Sequence, residues 1–265
     1  MRSITFTVSK GGVGKSLLTA NVGAALAKKG KKVVLVEGDT NQPLRTVLGL
    51  TFSPKDFKLE DAVEKDTEIN KAVYRTQFDN LFLIPSGVSL QGYFEIDPIR
   101  FARKLCSLET DFMLVDVPFP LGKAAFLSLG LCEYFVPILT EDEFVLCVES
   151  TIDTLRLGKY FLKSIPLGFI LNRIKTPEKF TKGFVEDLEN LLEVSCIAQI
   201  TEDPEVAQSY GGVGSKKPFL AYSRPSENEF TKEIDKIAAW LLNKTKNEEK
   251  DVIKLLQEVI NPPKL

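Results

Sequence analysis

Histidine is absent from this 265-residue chain, which removes an imidazole zinc site and any His general base from the available chemistry. No apolar run approaches the ~20 residues needed to span a bilayer. Net charge is nearly absent too: 34 Lys and Arg face 36 Asp and Glu, leaving −2. That balance argues against a dedicated nucleic-acid binder, although a local basic patch fits inside it. Paired cysteines are missing. Cys106, Cys132, Cys147 and Cys196 form no C-x-x-C, and runs such as "FVLCVES" and "VSCIAQI" embed them in apolar sequence. Buried core thiols are the expected result; a cluster or metal held between subunits, one cysteine from each, stays open. No internal repeat or low-complexity linker interrupts the chain, and no signal-peptide layout accompanies the opening strand-like "ITFTV". A cytoplasmic protein is expected.

What is present is an alternation. Short runs rich in β-branched and aromatic residues fall at 3–8, 33–37, 81–85, 112–116, 134–139, 167–171 and 196–200. Helical patterns fill the spaces, at 15–29, 98–107, 142–163, 180–192 and 227–243. Most of the strand runs are continuously apolar, as strands covered on both faces must be. The expected fold is therefore α/β: one doubly wound, mostly parallel sheet with helices on both faces. Such sheets bind ligands beyond the carboxyl ends of their strands. The chemistry-bearing residues stand there: Ser9–Ser16, then Glu37 and Asp39, then Asp116, then Asn172.

The stretch "SKGGVGKSL" nearly matches the phosphate-loop pattern G-x-x-x-x-G-K-[ST], with Ser9 in place of its first glycine and a second lysine, Lys10, beside it. Gly11, Gly12 and Gly14 let backbone N–H groups curl around an anion. The helix beginning at 15 points its amino end at the same anion. Lys15 would reach the terminal phosphates, and Ser16 would offer its hydroxyl to Mg²⁺. "FMLVD" delivers Asp116 to a strand end as a second Mg²⁺ holder. Lys10 would crowd Lys15 unless it faced further negative charge, and phosphates bound by a facing subunit are one source.

"KGGVGKS" resembles the deviant phosphate loop of the MinD/ParA group of P-loop ATPases, most closely the archaeal type. The resemblance covers roughly residues 1–243. It implies that Lys10 is a signature lysine crossing an ATP-bound homodimer, so Lys10, Lys15 and Asp39 are the expected catalytic residues. Asp39, in "VEGDTNQPLRTVLGL", would align the attacking water and share the metal with Ser16 and Asp116. "TQFDNLFLIPSG" and "LGFILNR" are similar to segments of the same group. ATP or ADP would rest on Gly11, Gly12, Val13, Gly14, Lys15, Ser16 and Leu17. Asn172 would read adenine, with Arg173 beside it, and Glu202, Asp203 and Pro204 of "EDPEV" would close over the base. Three positions depart from the pattern: Glu37 stands where Asp is usual, Thr201 replaces a proline, and "DVPFPLG" puts Pro120 where a glycine N–H would meet the γ-phosphate.

The resemblance implies an ATP-driven dimerising switch for division-site or polar positioning, with slow hydrolysis and a protein partner. Three alternatives remain. A DNA-partition ATPase would need a basic face from Lys175, Lys179, Lys182, Lys216 and Lys217. A cluster- or metal-insertion ATPase of the Mrp type usually carries paired cysteines. A nucleotide-bound scaffold would turn over little. Residues 1–245 would form the ATPase domain and 246–265 an amphipathic tail. In that tail Val252, Leu255, Leu256, Val259 and Ile260 share a face. Its charge over 248–260 is mostly acidic, which favours docking on this or a partner subunit over an anionic membrane; peripheral membrane attachment is the disfavoured reading.

Overall fold

The computed structural model describes residues 1–8, 10–39, 41–87, 97–116, 129–204, 206, 220, 228–246 and 251–260. Its strands are β1 (Arg2–Val8), β2 (Val33–Glu37), β3 (Tyr74–Arg75), β4 (Leu81–Ile84), β5 (Phe112–Asp116), β6 (Tyr134–Thr140), β7 (Ile165–Pro166), β8 (Phe169–Ile174) and β9 (Cys196–Thr201). They form one sheet in the order β3-β4-β2-β5-β1-β6-β8-β9, with β7 paired to β6. Among the described strands, only β3 runs antiparallel to its neighbour. The doubly wound parallel sheet expected from the apolar runs is what the chain forms. The two-residue strands β3 and β7 were not legible, because two residues carry no periodicity.

The apolar runs divide their side chains between two layers. Val33 and Leu35 of β2, with Phe112 and Leu114 of β5, enter one core cluster. Val34, Val36, Met113 and Val115 enter another on the opposite face. Period-two geometry does this, and it explains why neither face of these strands carries exposed polar residues.

Helix α1 (Lys15–Lys28) lies in the first cluster, with every residue from Lys15 to Ala27 buried. Its Ala- and Gly-rich sequence suits that place. A Cβ on Gly23 would come within 2.8 Å of Leu35 Cδ2, so glycine lets helix and sheet approach. Two six-residue helices, α2 (Pro43–Leu48) and α3 (Leu59–Glu64), follow β2; α2 opens with proline at its first turn, a position that needs no N–H. Next come α4 (Pro98–Cys106), α5 (Phe144–Arg156), α6 (Lys182–Leu192), α7 (Glu229–Lys244) and α8 (Val252–Ile260). The helix expected over 142–163 is α5 continued by a π-helical turn, Leu157–Phe161. Gly158 lies so close to Phe135 that a Cβ there would sit 2.7 Å from its ring.

The tail helix α8 is seated on its own subunit. Val252 and Leu256 are buried among Leu105, Leu131 and Cys132. The Tyr134 hydroxyl donates to the Lys246 carbonyl (3.2 Å) and accepts from the Lys246 N–H (3.1 Å). This seat lies at the amino end of β6, opposite the strand ends where ligands bind. Cys132 and Cys147 are buried as expected, Cys196 is half-buried, and burial pushes its thiol up to about 11. Cys106 departs from the expectation: it is exposed, as the last residue of α4 and one position past the buried Leu105. Among the described residues no three His, Cys, Asp or Glu side chains converge as a metal-binding group, and no helix is long and apolar enough to cross a membrane.

Candidate nucleotide site

β1 pairs with β5 on one side and β6 on the other, and the chain that leaves its carboxyl end curls into the loop before α1. A crevice opens there, where the winding of the sheet reverses. It is a cleft of about 510 Å³ lined by Lys10 to Leu17, Asp39, Asn172, Arg173, Glu202 and Asp203. Its wall also includes Asn41 and Pro43, which lie within "VEGDTNQPLRTVLGL", Val206, the last residue of "EDPEV", and Ile200 and Phe230. Ile200 and Phe230 belong to no motif, so nothing in the sequence marks them as lining a cleft.

The loop is shaped for an anion. Gly12 and Gly14 have φ of 76° and 88°, a region that costs other residues strain. Gly14 is also the residue preceding α1, and no side chain caps that end. The first-turn N–H groups of α1 thus lack an intrahelical acceptor and face the cleft, with the helix dipole behind them. No acidic residue stands in that first turn to repel a phosphate.

Beneath the loop, Lys15 Nζ pairs directly with Asp116 Oδ1. Asp116 is fully buried, and among the described residues its Oδ2 has no hydrogen-bond partner. A buried, unpartnered carboxylate oxygen is costly unless something completes its shell. With the Ser16 hydroxyl at the head of α1, this donor set fits a hard, oxygen-loving cation such as Mg²⁺.

Asn172 and Arg173 sit on an irregularity of β8, where the register with β9 shifts between Leu171 and Ile174 and Arg173 adopts φ 56°. Such a bulge re-aims side chains. Asn172 Nδ2 donates to the Val13 carbonyl at 2.7 Å, and a Cβ on Gly14 would fall 2.8 Å from that nitrogen. Arg173 Nη1 donates to the Gly12 carbonyl (2.8 Å), while its Nε and Nη2 donate to Glu202 Oε1 (2.9 and 2.8 Å). It therefore ties the phosphate loop to the loop after β9. Asp203 also lines the cleft; Pro204 does not.

Asp39 reaches the cleft rim, with its Oδ1 accepting from the Asn41 N–H at 2.9 Å. Glu37 does not reach it. Its carboxylate is fully buried and turned to Arg45: Oε1 accepts from the Arg45 N–H (3.0 Å) and Oε2 from Nε (2.8 Å). Burial raises its pKa, against the opposing pull of Arg45. The longer carboxylate at 37 is thus occupied by a salt bridge.

Lys10 lies on the rim. Its Nζ donates to the Asp142 carbonyl (3.0 Å) and to Glu143 Oε2 (3.2 Å), a carboxylate that is 62% exposed. The neighbouring acids hold other lysines. Asp142 pairs with Lys175, and Glu141 with Lys179 while accepting from the N–H groups of Lys175 and Thr176. Led by the Lys179 contact, these bonds lower the Glu141 pKa to about 2. Lys182 pairs with Glu186. Three of the five lysines named for a basic face are thereby matched with acids. Lys216, Lys217, Ser9, Pro118, Pro120 and Gly122 lie outside the described residues.

Comparison with known proteins agrees with this geometry. A family model described as an AAA domain matches residues 1–155. An ATP-binding protein of Methanocaldococcus jannaschii is 33% identical over 261 residues, 98% of this chain and 95% of that one. The cell division ATPase MinD of Pyrococcus furiosus superposes with a TM-score of 0.76 at 28% identity, over 91% of this chain and 98% of that one. The septum site-determining protein MinD of Pyrococcus horikoshii, solved with Mg-ADP, gives 0.68 at 27% identity, over 89% and 94%. The uncapped amino end of α1, the lysine pair of its loop and these relatives agree: the chain belongs to the MinD/ParA family of P-loop ATPases.

Proposed function

We propose that this protein is an ATP-dependent dimerising switch of the MinD type, with slow hydrolysis and a role in spatial organisation such as division-site or polar positioning. The observation that carries the reading is the divergence of the two lysines on one loop. Lys15 turns inward to Asp116. Lys10 turns outward to an exposed carboxylate at the rim, where a second subunit's phosphates can compete for it. An exposed pair of this kind contributes little, about 0–1 kcal/mol, so exchange for a phosphate is easily favourable.

In this reading the N–H groups of Gly11 to Leu17 hold the phosphates of ATP or ADP, and Lys15 leaves Asp116 for the terminal phosphates. Ser16, Asp39 and Asp116 would hold Mg²⁺, which would supply charge neutralisation at the transferring phosphoryl group. Asp39 orients the attacking water, Asn172 selects adenine, and Arg173, Glu202 and Asp203 border the base, with Pro204 following them in the chain. Residues 1–245 act as the switch, the homodimer presents a face to a protein partner, and 246–265 forms the tail. The chain works in the cytoplasm, its acidic tail disfavouring a membrane. A DNA-binding face is the weaker reading, because Lys175, Lys179 and Lys182 already have acidic partners.

The test separates the lysines. Lys15→Ala is expected to abolish tight ADP binding by calorimetry. Lys10→Ala is expected to keep ADP binding but stay monomeric with ATP by light scattering. Normal ATP-dependent dimerisation of Lys10→Ala would exclude the intersubunit role.

A further inference from the structure

We propose that Glu37, Arg45 and Ser86 form a buried relay that positions Asp39, with Ser86 as its contact to the catalytic backbone. The inference rests on the reading of Asp39 as the residue that orients water, and it assigns work to three side chains that do not line the cleft.

The relay begins at neighbouring strand ends. Glu37 and Asp116 are register partners on β2 and β5, and both are fully buried. Asp116 faces Lys15. Glu37 turns to Arg45 in α2, accepting from its N–H, Nε and Nη2. Nη2 of the same guanidinium donates to the Ser86 carbonyl, and the Ser86 N–H approaches Glu37 Oε2 at 3.4 Å. Ser86 is fully buried. Its hydroxyl donates to the Asp39 carbonyl at 2.9 Å, and the Gln42 N–H donates to that same oxygen at 2.9 Å. Both lone-pair directions of the Asp39 carbonyl are thereby used, and the turn that carries its carboxylate is held from both ends.

The turn bearing Ser86 is itself pinned. The Leu59 N–H donates to the Pro85 carbonyl (3.0 Å), and the Gly87 N–H donates to both oxygens of the buried Glu60 (2.7 and 2.6 Å). A Cβ on Gly87 would lie 3.1 Å from that carboxyl, a contact the end of the Glu60 side chain would have to relieve by moving a few tenths of an ångström. An anchored platform of this kind gives a reacting group a fixed position.

Removing Arg45 or Glu37 would leave a lone buried charge and can unfold the region, so the informative variant is Ser86→Ala. It deletes one hydroxyl. Two measurements decide. In nucleotide-free protein, amide exchange followed by NMR at Asn41 and Gln42, whose N–H groups bond Asp39 Oδ1 and O, is expected to quicken about threefold to tenfold. In single-turnover assays Ser86→Ala is expected to slow ATP cleavage by a similar factor, with Mg-ADP affinity unchanged and no added loss in an Asp39→Ala background. Unchanged exchange at Asn41 and Gln42 overturns the relay, whatever turnover does. An equal rate loss with and without Asp39 also overturns it, since Ser86 would then act by another route. Quickened exchange in a protein whose wild type cleaves no ATP upholds the relay and removes the hydrolysis reading instead.

Discussion

Asn172 joins an observed tie to a proposed role. Its amide nitrogen donates to the Val13 carbonyl of the phosphate loop, and the residue lines the cleft, where the proposed role is to select the base. Wild-type protein is expected to prefer ADP over GDP by roughly 10²-fold or more, as sites built on paired hydrogen bonds do. Asn172→Ala should erase that preference and weaken both nucleotides, because the loop loses its tie. Calorimetry with the two nucleotides checks this; equal wild-type affinities exclude the role. Glu141 makes a different point. Its pKa falls from 4.5 to about 2 in the folded chain, so its contacts with Lys179, Lys175 and Thr176 add stability fully present above pH 4.5. That contribution declines as pH drops toward 2. Acid titrations of Glu141→Gln should therefore show a flatter loss of stability between pH 4.5 and 2 than wild type.

Elements that leave the strand ends set what the site can do. α1 supplies uncapped N–H groups, α2 brings Arg45 back to Glu37, and the bulge in β8 turns Arg173 across to Gly12. Arg45 lay within the recognised stretch "VEGDTNQPLRTVLGL", yet its partner is set by a helix of only six residues. Helices that short carry little periodic signal. The segment after β5 is readable only as sequence. Pro120 has no N–H to offer a γ-phosphate, and losing one such donor costs on the order of 10²–10³ in rate in other enzymes. Slow wild-type turnover is expected, with Pro120→Gly raising it in a phosphate-release assay. Rapid wild-type turnover that ignores Pro120→Gly but collapses with Gly122→Pro would assign the contact to Gly122.

At the scale of the molecule, the tail decides between two fates. An amphipathic helix can serve a lipid surface or a protein core, and α8 has spent Val252 and Leu256 on the core beside α4. Fully burying a Val and a Leu contributes about 3–6 kcal/mol together. A chain ending at Asn247 is thus expected to unfold at clearly lower urea, by a shift corresponding to several kcal/mol. Sedimentation with anionic liposomes and ATP should differ little between the two chains. A large ATP-dependent loss of sedimentation on truncation, with stability unchanged, would reverse this assignment.

Local chemistry in the sequence determined the sheet, the phosphate loop and the residues after each strand, because glycine spacing, apolar runs and strand-end carboxylates are short-range signals. Gly12 and Gly14 permit the positive φ values the loop adopts, and "FMLVD" is apolar enough to be buried on both faces of such a sheet. Long-range partners were decided only by the tertiary structure. Lys15 meets Asp116 across 101 residues, Lys10 meets Glu143 across 133, and Ser86 meets Asp39 across 47. No spacing rule encodes those pairs, since each depends on which strand lies beside which. The same holds for α8: its apolar face was legible, but its seat exists only once β6 and α4 have packed together.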